Sequence, residues 1–140
     1  MATYNKFQQF TEDLAHKVHN LGSDQLTVAL TAAASAPVAT NSVLANLTEI
    51  AYTNLSTRAI TTASSAQTSG TYKLTLTDLV LTASGGAAAA FRYVVVYNDT
   101  PTSPADPLIS WFDYGSDLPL EIGETLTIDF DGSGGFATLV

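Results

Sequence analysis

The first hydrophobic pattern in the chain has the period of a helix. Between residues 5 and 21, large apolar side chains recur three or four positions apart, at Phe7, Phe10, Leu14, Val18 and Leu21. Side chains with this spacing share one face, so the pattern predicts an amphipathic α-helix over 5–21, capped by Gly22. The apolar stripe must pack either on the protein's own sheet or on a neighbouring molecule, and the pattern does not distinguish the two.

The rest of the chain has the pattern of short β-strands. Residues 71–77 alternate, with Tyr72, Leu74 and Leu76 on one side and polar side chains on the other, which predicts a strand with one buried face. Residues 91–97 form a continuous apolar run, which predicts a central strand covered on both faces. Further strands are predicted at 26–30, 58–62, 79–83, 107–114, 124–130 and 136–140.

This order of elements predicts a mainly β protein. Many short strands separated by Gly and Pro turns, here at 115–117 and 131–134 among others, are typical of an antiparallel β-sandwich or a jelly-roll-like barrel. A length of 140 residues fits one domain. We therefore expect a single domain over 1–140, in which the N-terminal helix at 5–21 precedes a β-sandwich over 26–140.

The charge distribution narrows the classes of partner. The formal net charge is −8, and charged residues make up only 13% of the chain. From residue 98 to the C-terminus there are eight acidic residues and no Lys or Arg. Such a surface disfavours nucleic-acid binding and could meet a basic protein or a divalent cation. No stretch approaches the roughly 20 apolar residues of a membrane-spanning helix, so no membrane association is expected.

Few residues have a spacing that supports metal binding. Glu12, His16 and His19 would share a helix face and could hold zinc, but the polar face of an amphipathic helix carries such residues by default. Residues 129–135 begin like a calcium loop, although Val140 stands where that loop needs a carboxylate. An Asp-Gly turn is the favoured interpretation. The chain has no Cys, so thiolate sites are excluded.

Signs of catalysis are equally weak. Asp113 and Asp117 could act as paired carboxylates, but both are placed near a predicted turn, where exposed Asp is ordinary. The chain has two histidines, both in the predicted helix, and no G-x-S-x-G motif. We expect a non-enzymatic protein without a metal ion or other cofactor.

An aromatic cluster occupies the strand predicted at 107–114. Strand alternation places Trp111 on one face and Phe112 with Tyr114 on the other. One face must belong to the core. The other could also be core, or it could be a platform that stacks on a sugar or a partner protein.

Four segments carry a resemblance to a known group of proteins: YNKFQQFTEDLAHKVHNLGSDQLTVALT, SGTYKLTLTDLVLTASGG, FRYVVVYNDTPTSPADPLISWFDYG and GETLTIDFDGSGGFATLV. The chain resembles small virion proteins of tailed bacteriophages, which have a similar length, an N-terminal helix, a Ser/Thr-rich middle and a "YNDT…PLI…DYG" strand pair. Its size and β content also look like those of capsid cement, or decoration, proteins with jelly-roll folds.

The resemblance implies a structural protein on the capsid surface of a virion, made in the cytoplasm of the bacterial host. Its expected partners are the major capsid protein and further copies of itself, as a dimer or trimer. The proline-containing loop at 98–106 and the phenylalanines of the helix are the expected contacts. The interface candidates are Phe7, Phe10, Thr100, Pro101, Pro104, Pro107 and Trp111.

Two other functions stay open at this point. The chain could be a tail component such as a tube or baseplate subunit. It could also be a carbohydrate-binding module on the virion surface that stacks sugars on Trp111 or Tyr114.

Overall fold

A computed structural model describes residues 2–140. It contains one α-helix, α1 at Gln9–Ala15, and two short 3₁₀ turns at Ala33–Ser35 and Leu44–Asn46. The strands are β1 Thr3–Lys6, β2 Leu26–Thr31, β3 Ala59–Ile60, β4 Thr62–Thr68, β5 Thr71–Leu76, β6 Leu79–Thr82, β7 Ala88–Asn98, β8 Leu108–Leu120, β9 Thr125–Ile128 and β10 Ala137–Leu139. No helix within residues 2–140 is long and apolar enough to cross a bilayer.

The strands form antiparallel sheets that pack face to face. One sheet has five strands in the order β1-β8-β7-β2-β3. Opposite it lie a three-stranded sheet, β10-β5-β4, and a two-stranded sheet, β6-β9. Their facing side chains, such as Val94, Leu74 and Leu81, are fully buried in one core. The predicted mainly β, sandwich-like fold with an N-terminal helix is confirmed.

The five-stranded sheet is covered on its other face as well. A second, smaller core, which we call the outer core, contains Phe7, Ala29, Val95, Tyr97 and Leu108. Leu44 and Leu47, from the long connection between β2 and β3, pack against it. Strand β7 lies third of the five strands, and its apolar run is buried on both faces, as the uninterrupted pattern predicted.

The helix is much shorter than the predicted span 5–21. Residues 3–6 form β1, which pairs with β8, so the helix begins only after Phe7. It ends because Lys17 adopts a left-handed conformation with φ of 63°. The backbone N–H groups of Lys17 and Val18 donate to the carbonyls of Leu14 and Asp13, which is the Schellman arrangement of a helix C-terminus. Gly22, predicted as the cap, lies well beyond this end.

Strand β8 runs through the turn predicted at 115–117. Tyr93 of β7 faces Asp113, whereas Phe91 faces Leu118, so Arg92 alone lies opposite residues 114–117. The additional residues of β8 form a β-bulge, because they have no partners in the ladder of hydrogen bonds between β7 and β8. Gly115 has φ of 91°, a conformation that glycine adopts at little cost. The sequence 115–117 therefore marks an irregularity of the backbone, but β8 continues in the same direction beyond it.

Two other segments differ in detail from the prediction. The Ser/Thr-rich stretch at 64–70, whose pattern predicts a loop or a weak strand, lies largely within β4 at the edge of its sheet. A turn does follow Asp131, but it is not a hairpin, because β9 pairs with β6 whereas β10 pairs with β5. The segment at 129–136 therefore crosses from one small sheet to the other.

Candidate functional site

The loop between β7 and β8 is held firmly at its first half. The backbone N–H of Asp99 donates to the carbonyl of Gln25 over 2.8 Å. The Gln25 N–H in turn donates to the Thr100 hydroxyl over 2.8 Å, and the Thr100 N–H donates to the Asn98 side-chain oxygen over 3.1 Å. These bonds attach the start of the loop to the turn that precedes β2.

The second half of the loop is closed on itself and on the β2–β3 connection. Thr102 and Ala105 form an isolated antiparallel bridge. The carbonyl of Asp106 accepts a hydrogen bond of 2.9 Å from the N–H of Leu44, and Pro107 bridges to Val43. Residues 102–105 at the tip are exposed. The loop thus presents a defined, exposed tip on an anchored base.

A buried polar cluster lies beneath the base of this loop. Asn98 is fully buried, and its side-chain nitrogen lies 2.6 Å from Asp24 Oδ2 and 3.1 Å from His19 Nδ1. Burial lowers the pKa of His19, although the charges of Asp13 and Asp24 act in the opposite direction. A neutral His19 therefore links the segment after the helix to the start of the loop.

The zinc set considered from the sequence is not assembled. His19 is buried beside Asn98, whereas His16 is exposed and its Nδ1 lies 3.6 Å from a Glu12 carboxylate oxygen. Within residues 2–140, no three His, Cys, Asp or Glu side chains come close enough together to hold a metal ion. The helix-face argument failed because the helix ends before His16 and His19 can follow its spacing.

The two carboxylates considered for catalysis have separate partners. Arg92 donates to both oxygens of Asp113, over 2.8 and 3.0 Å. These bonds, with one from the Gly115 N–H, lower the pKa of Asp113. Asp117 accepts a hydrogen bond of 2.9 Å from the N–H of Ala33. Both side chains therefore stabilise the bulge and its surroundings, and the arrangement offers no acid–base pair.

The predicted interface residues fall into two groups. Phe7 and Phe10 are 0% and 4% exposed and pack in the outer core and the main core respectively. Pro107 is buried as well. The apolar stripe thus packs within this chain, and these three side chains are not available to a partner in this structure. The residues that retain accessible surface are Thr100, Pro101, Pro104 and, in part, Trp111.

The alternation predicted for the aromatic cluster is correct. Trp111 packs on Phe7 at the outer core, with ring centroids 4.5 Å apart. Phe112 lies on the opposite face and packs against the main core. Tyr114 is 37% exposed at the start of the bulge. Because Trp111 is half-buried against Phe7, Tyr114 offers the more open ring of the two residues considered for sugar stacking.

The structure also contains a cleft that the sequence analysis missed. It has a volume of about 880 Å³ and opens between β1, β8 and residues 127–136. Tyr4 joins its two sides, because the Tyr4 ring packs edge-on against Phe112 at 5.6 Å and against Phe136 at 5.8 Å. Phe136 in turn packs edge-on against Phe130 at 5.7 Å. We call this site the aromatic cleft.

Two carboxylates line one side of the aromatic cleft. Asp131 Oδ1 accepts hydrogen bonds from the N–H groups of Ser133 and Gly134 and from the Ser133 hydroxyl. These bonds lower the pKa of Asp131, so the carboxylate is ionised at neutral pH. Asp129, which also lines the cleft, is exposed. No hydrogen bond or ion pair among residues 2–140 engages Asp129 or Asp131 Oδ2.

Local patterns could not reveal the cleft. Tyr4 directly precedes the helix predicted at 5–21, and that prediction gives no sign that Tyr4 pairs with Phe112 across β1 and β8. An Asp-Gly turn is a typical hairpin signal, whereas the segment at 129–136 crosses between two sheets and brings Phe136 against Tyr4. The one available signal was the Phe130 and Phe136 pair on either side of a glycine-rich turn.

Comparison with protein-family models, with curated proteins and with solved structures yields no match for this chain.

Proposed function

We propose that this chain is a non-enzymatic structural protein of a bacteriophage particle, which binds the outside of the major capsid protein shell as a cement protein. The observation that carries the proposal is the loop at 99–106, with an exposed tip on a base anchored to Gln25 and Leu44. The resemblance to small virion proteins supports the same role. The protein would be made in the host cytoplasm and reside on the capsid surface.

A preorganised loop suits docking because ordering a flexible loop at an interface costs free energy. Here the backbone is already fixed by hydrogen bonds at both ends of the loop. The exposed tip of four residues is small for a stable interface, since specific interfaces bury roughly 800 Å² on each partner. We therefore expect a dimer or trimer, whose repeated contacts on a symmetric shell raise the overall affinity.

The charge of the loop indicates which chemistry the partner surface would have. Asp99 and Asp106 both belong to the loop, and burial together with the nearby charge of Asp99 raises the pKa of Asp106. A basic residue of the capsid protein placed between them would relieve this repulsion.

The test replaces residues 102–105 by Asn-Gly, which removes the tip and keeps the anchored ends. Binding is measured by co-sedimentation with capsids that lack the protein. We expect the variant to lose binding while its melting temperature stays close to that of the unmodified chain. A matched control is Ile122→Ser, at an exposed position in the turn between β8 and β9, which should bind normally. Undiminished binding of the tip variant would rule out the loop as the docking element.

A tail subunit and a glycan-binding module remain alternative proposals. Assembly of the isolated protein into rings or fibres supports the tail role. Quenching of tyrosine or tryptophan fluorescence by host polysaccharide supports the glycan-binding role.

A further inference from the structure

We infer that the aromatic cleft binds an arginine side chain presented by an extended segment of a partner protein. The cleft is distinct from the docking loop, since the loop precedes the first residue of β8 whereas Tyr114 lies six positions further along that strand. The inference therefore goes beyond the proposed cement function and does not depend on the loop.

The charge of the aromatic cleft favours a cationic ligand. Asp129 and Asp131 line it, and none of the described residues that line it is Lys, Arg or His. Lys73 lies outside the lining, where its ammonium group donates to the Ser133 carbonyl over 3.1 Å. Its charge contributes to the lowered pKa of Asp131 without forming an ion pair with it. The carboxylate of Asp129 and the Oδ2 atom of Asp131 thus have no ion-pair partner among residues 2–140. A cation is the complementary ligand.

The aromatic side chains of the cleft favour a planar cation. Tyr4 is 41% exposed and Tyr114 is 37% exposed, so both rings present accessible surface to the cleft that they line. A planar guanidinium group stacks on aromatic faces and is more weakly hydrated than an ammonium group. It can also donate two parallel hydrogen bonds to a carboxylate. Aromatic rings beside carboxylates that form no ion pair within residues 2–140 therefore favour arginine over lysine.

The size of the cleft indicates an extended segment. A volume of about 880 Å³ lies in the range of sites that enclose a whole small ligand. One guanidinium group would leave much of this space empty, so residues on either side of the arginine would also enter. A phenylalanine-lined floor, formed by Phe112, Phe130 and Phe136, suits apolar neighbours of that arginine.

The ligand is not a second copy of this chain. The chain has two arginines, and both are already engaged. Arg58 donates to the Val28 carbonyl and stacks over the Tyr52 ring at 3.6 Å. Arg92 is held by both oxygens of Asp113. Releasing either arginine would break contacts within the fold, so the arginine comes from a different protein.

The test is an NMR titration of the isotopically labelled full-length protein with acetyl-Gly-Arg-Gly-amide. The matched probe replaces arginine by citrulline, which has nearly the same shape and no charge. We expect the arginine peptide to shift the amide signals of Tyr4, Tyr114 and residues 127–136, and to bind about tenfold more tightly than the citrulline peptide. Added salt should weaken only the arginine peptide.

Variants of the protein test whether the negative charge of the cleft is needed for binding the arginine peptide. Asp129→Asn should weaken binding of the arginine peptide and narrow its advantage over the citrulline peptide, with the remaining advantage due to Asp131. The variant should stay folded, because no hydrogen bond within residues 2–140 uses the Asp129 carboxylate. The matched control, Glu121→Gln, removes an exposed acid outside the cleft and should leave binding unchanged. The variant that lacks the loop tip should also bind the peptide normally, so failure of capsid docking and failure of this site are distinguishable.

Several results would overturn the inference. These are an absence of shifts in the cleft, equal affinity for the two peptides, or an Asp129→Asn variant that binds as well as the unmodified chain. Binding of a neutral chito-oligosaccharide in the cleft, unaffected by Asp129→Asn and stronger than that of the arginine peptide, would assign the cleft to glycans instead.

Discussion

Phe7 and Trp111 pack together on the outer face of the five-stranded sheet, with ring centroids 4.5 Å apart. Phe7 follows β1 directly, and Trp111 lies on β8, the neighbour of β1. Phe7 is fully buried. This contact attaches the N-terminal segment to the sheet on the face opposite the main core, so the protein has apolar packing on both sides of its central strands.

The Phe7→Ala variant should destabilise the protein by about 3–5 kcal/mol, because removing a buried aromatic side chain loses its transfer free energy and leaves a cavity. Trp111 is the only tryptophan, so its fluorescence should shift to longer wavelength as water reaches the ring. Urea unfolding followed by this fluorescence measures both effects. The control Val38→Ala, at an exposed position, should stay within about 0.5 kcal/mol. A similar loss in both variants would contradict an outer core built on Phe7.

Stability should fall in mildly acidic solution because of His19. Its pKa is lowered by burial from the ordinary value of 6.5. Below pH 6.5 the unfolded chain binds a proton on this histidine before the folded chain does, so the free energy of unfolding decreases as the pH falls. The decrease ends below the pKa of the folded state, where both states are protonated.

Unfolding measured from pH 8 to about pH 5 checks this expectation. His19→Gln should flatten the profile, whereas His16→Gln, at an exposed position, should leave the profile as it is. If the His16 variant flattened the profile and the His19 variant did not, the buried cluster beside Asn98 would not be the source of the pH dependence.

Lys17→Gly should stabilise the protein by about 1 kcal/mol, because a left-handed conformation costs roughly this amount for a residue with a Cβ atom. Lys17 is exposed, with φ of 63°, so little packing is lost. Thermal unfolding measures the gain. The reverse change, Gly115→Ala, places a Cβ atom at φ of 91° in open space and should be destabilising. A loss of stability in Lys17→Gly would mean that the lysine side chain matters more than its backbone conformation.

Strands could be predicted from the sequence where the hydrophobic pattern keeps one period over several residues. The alternation at 71–77 and the apolar run at 91–97 correspond to β5 and to the central strand β7, because each reflects burial on one face or on both. The opposite placement of Trp111 and Phe112 was likewise correct, since successive side chains of a strand always point to opposite faces. These inferences need only the local geometry of a strand.

The N-terminal segment was misjudged because pairing with a distant strand decided its structure. Phe7 and Phe10 have helical spacing, but residues 3–6 pair with β8 as the edge strand of the sheet. As a result, the Phe7 ring packs in the outer core and the Phe10 ring packs in the main core. The bulge at 114–117 and the aromatic cleft have the same origin. Each depends on which strand lies alongside another, and the free energy of such pairing comes from contacts far apart in the chain.

The mainly β class, the central strand and the uneven acidic charge could all be predicted from the sequence, because they follow from local periodicity and residue counts. Contacts between distant segments bury Phe7 and Phe10 within this chain and anchor the 99–106 loop at both ends. Such contacts also bring Tyr4 against Phe136 beside the carboxylates of Asp129 and Asp131. Surface sites of this kind form where separate elements meet, and a hydrophobic pattern along one segment carries no information about which elements those will be.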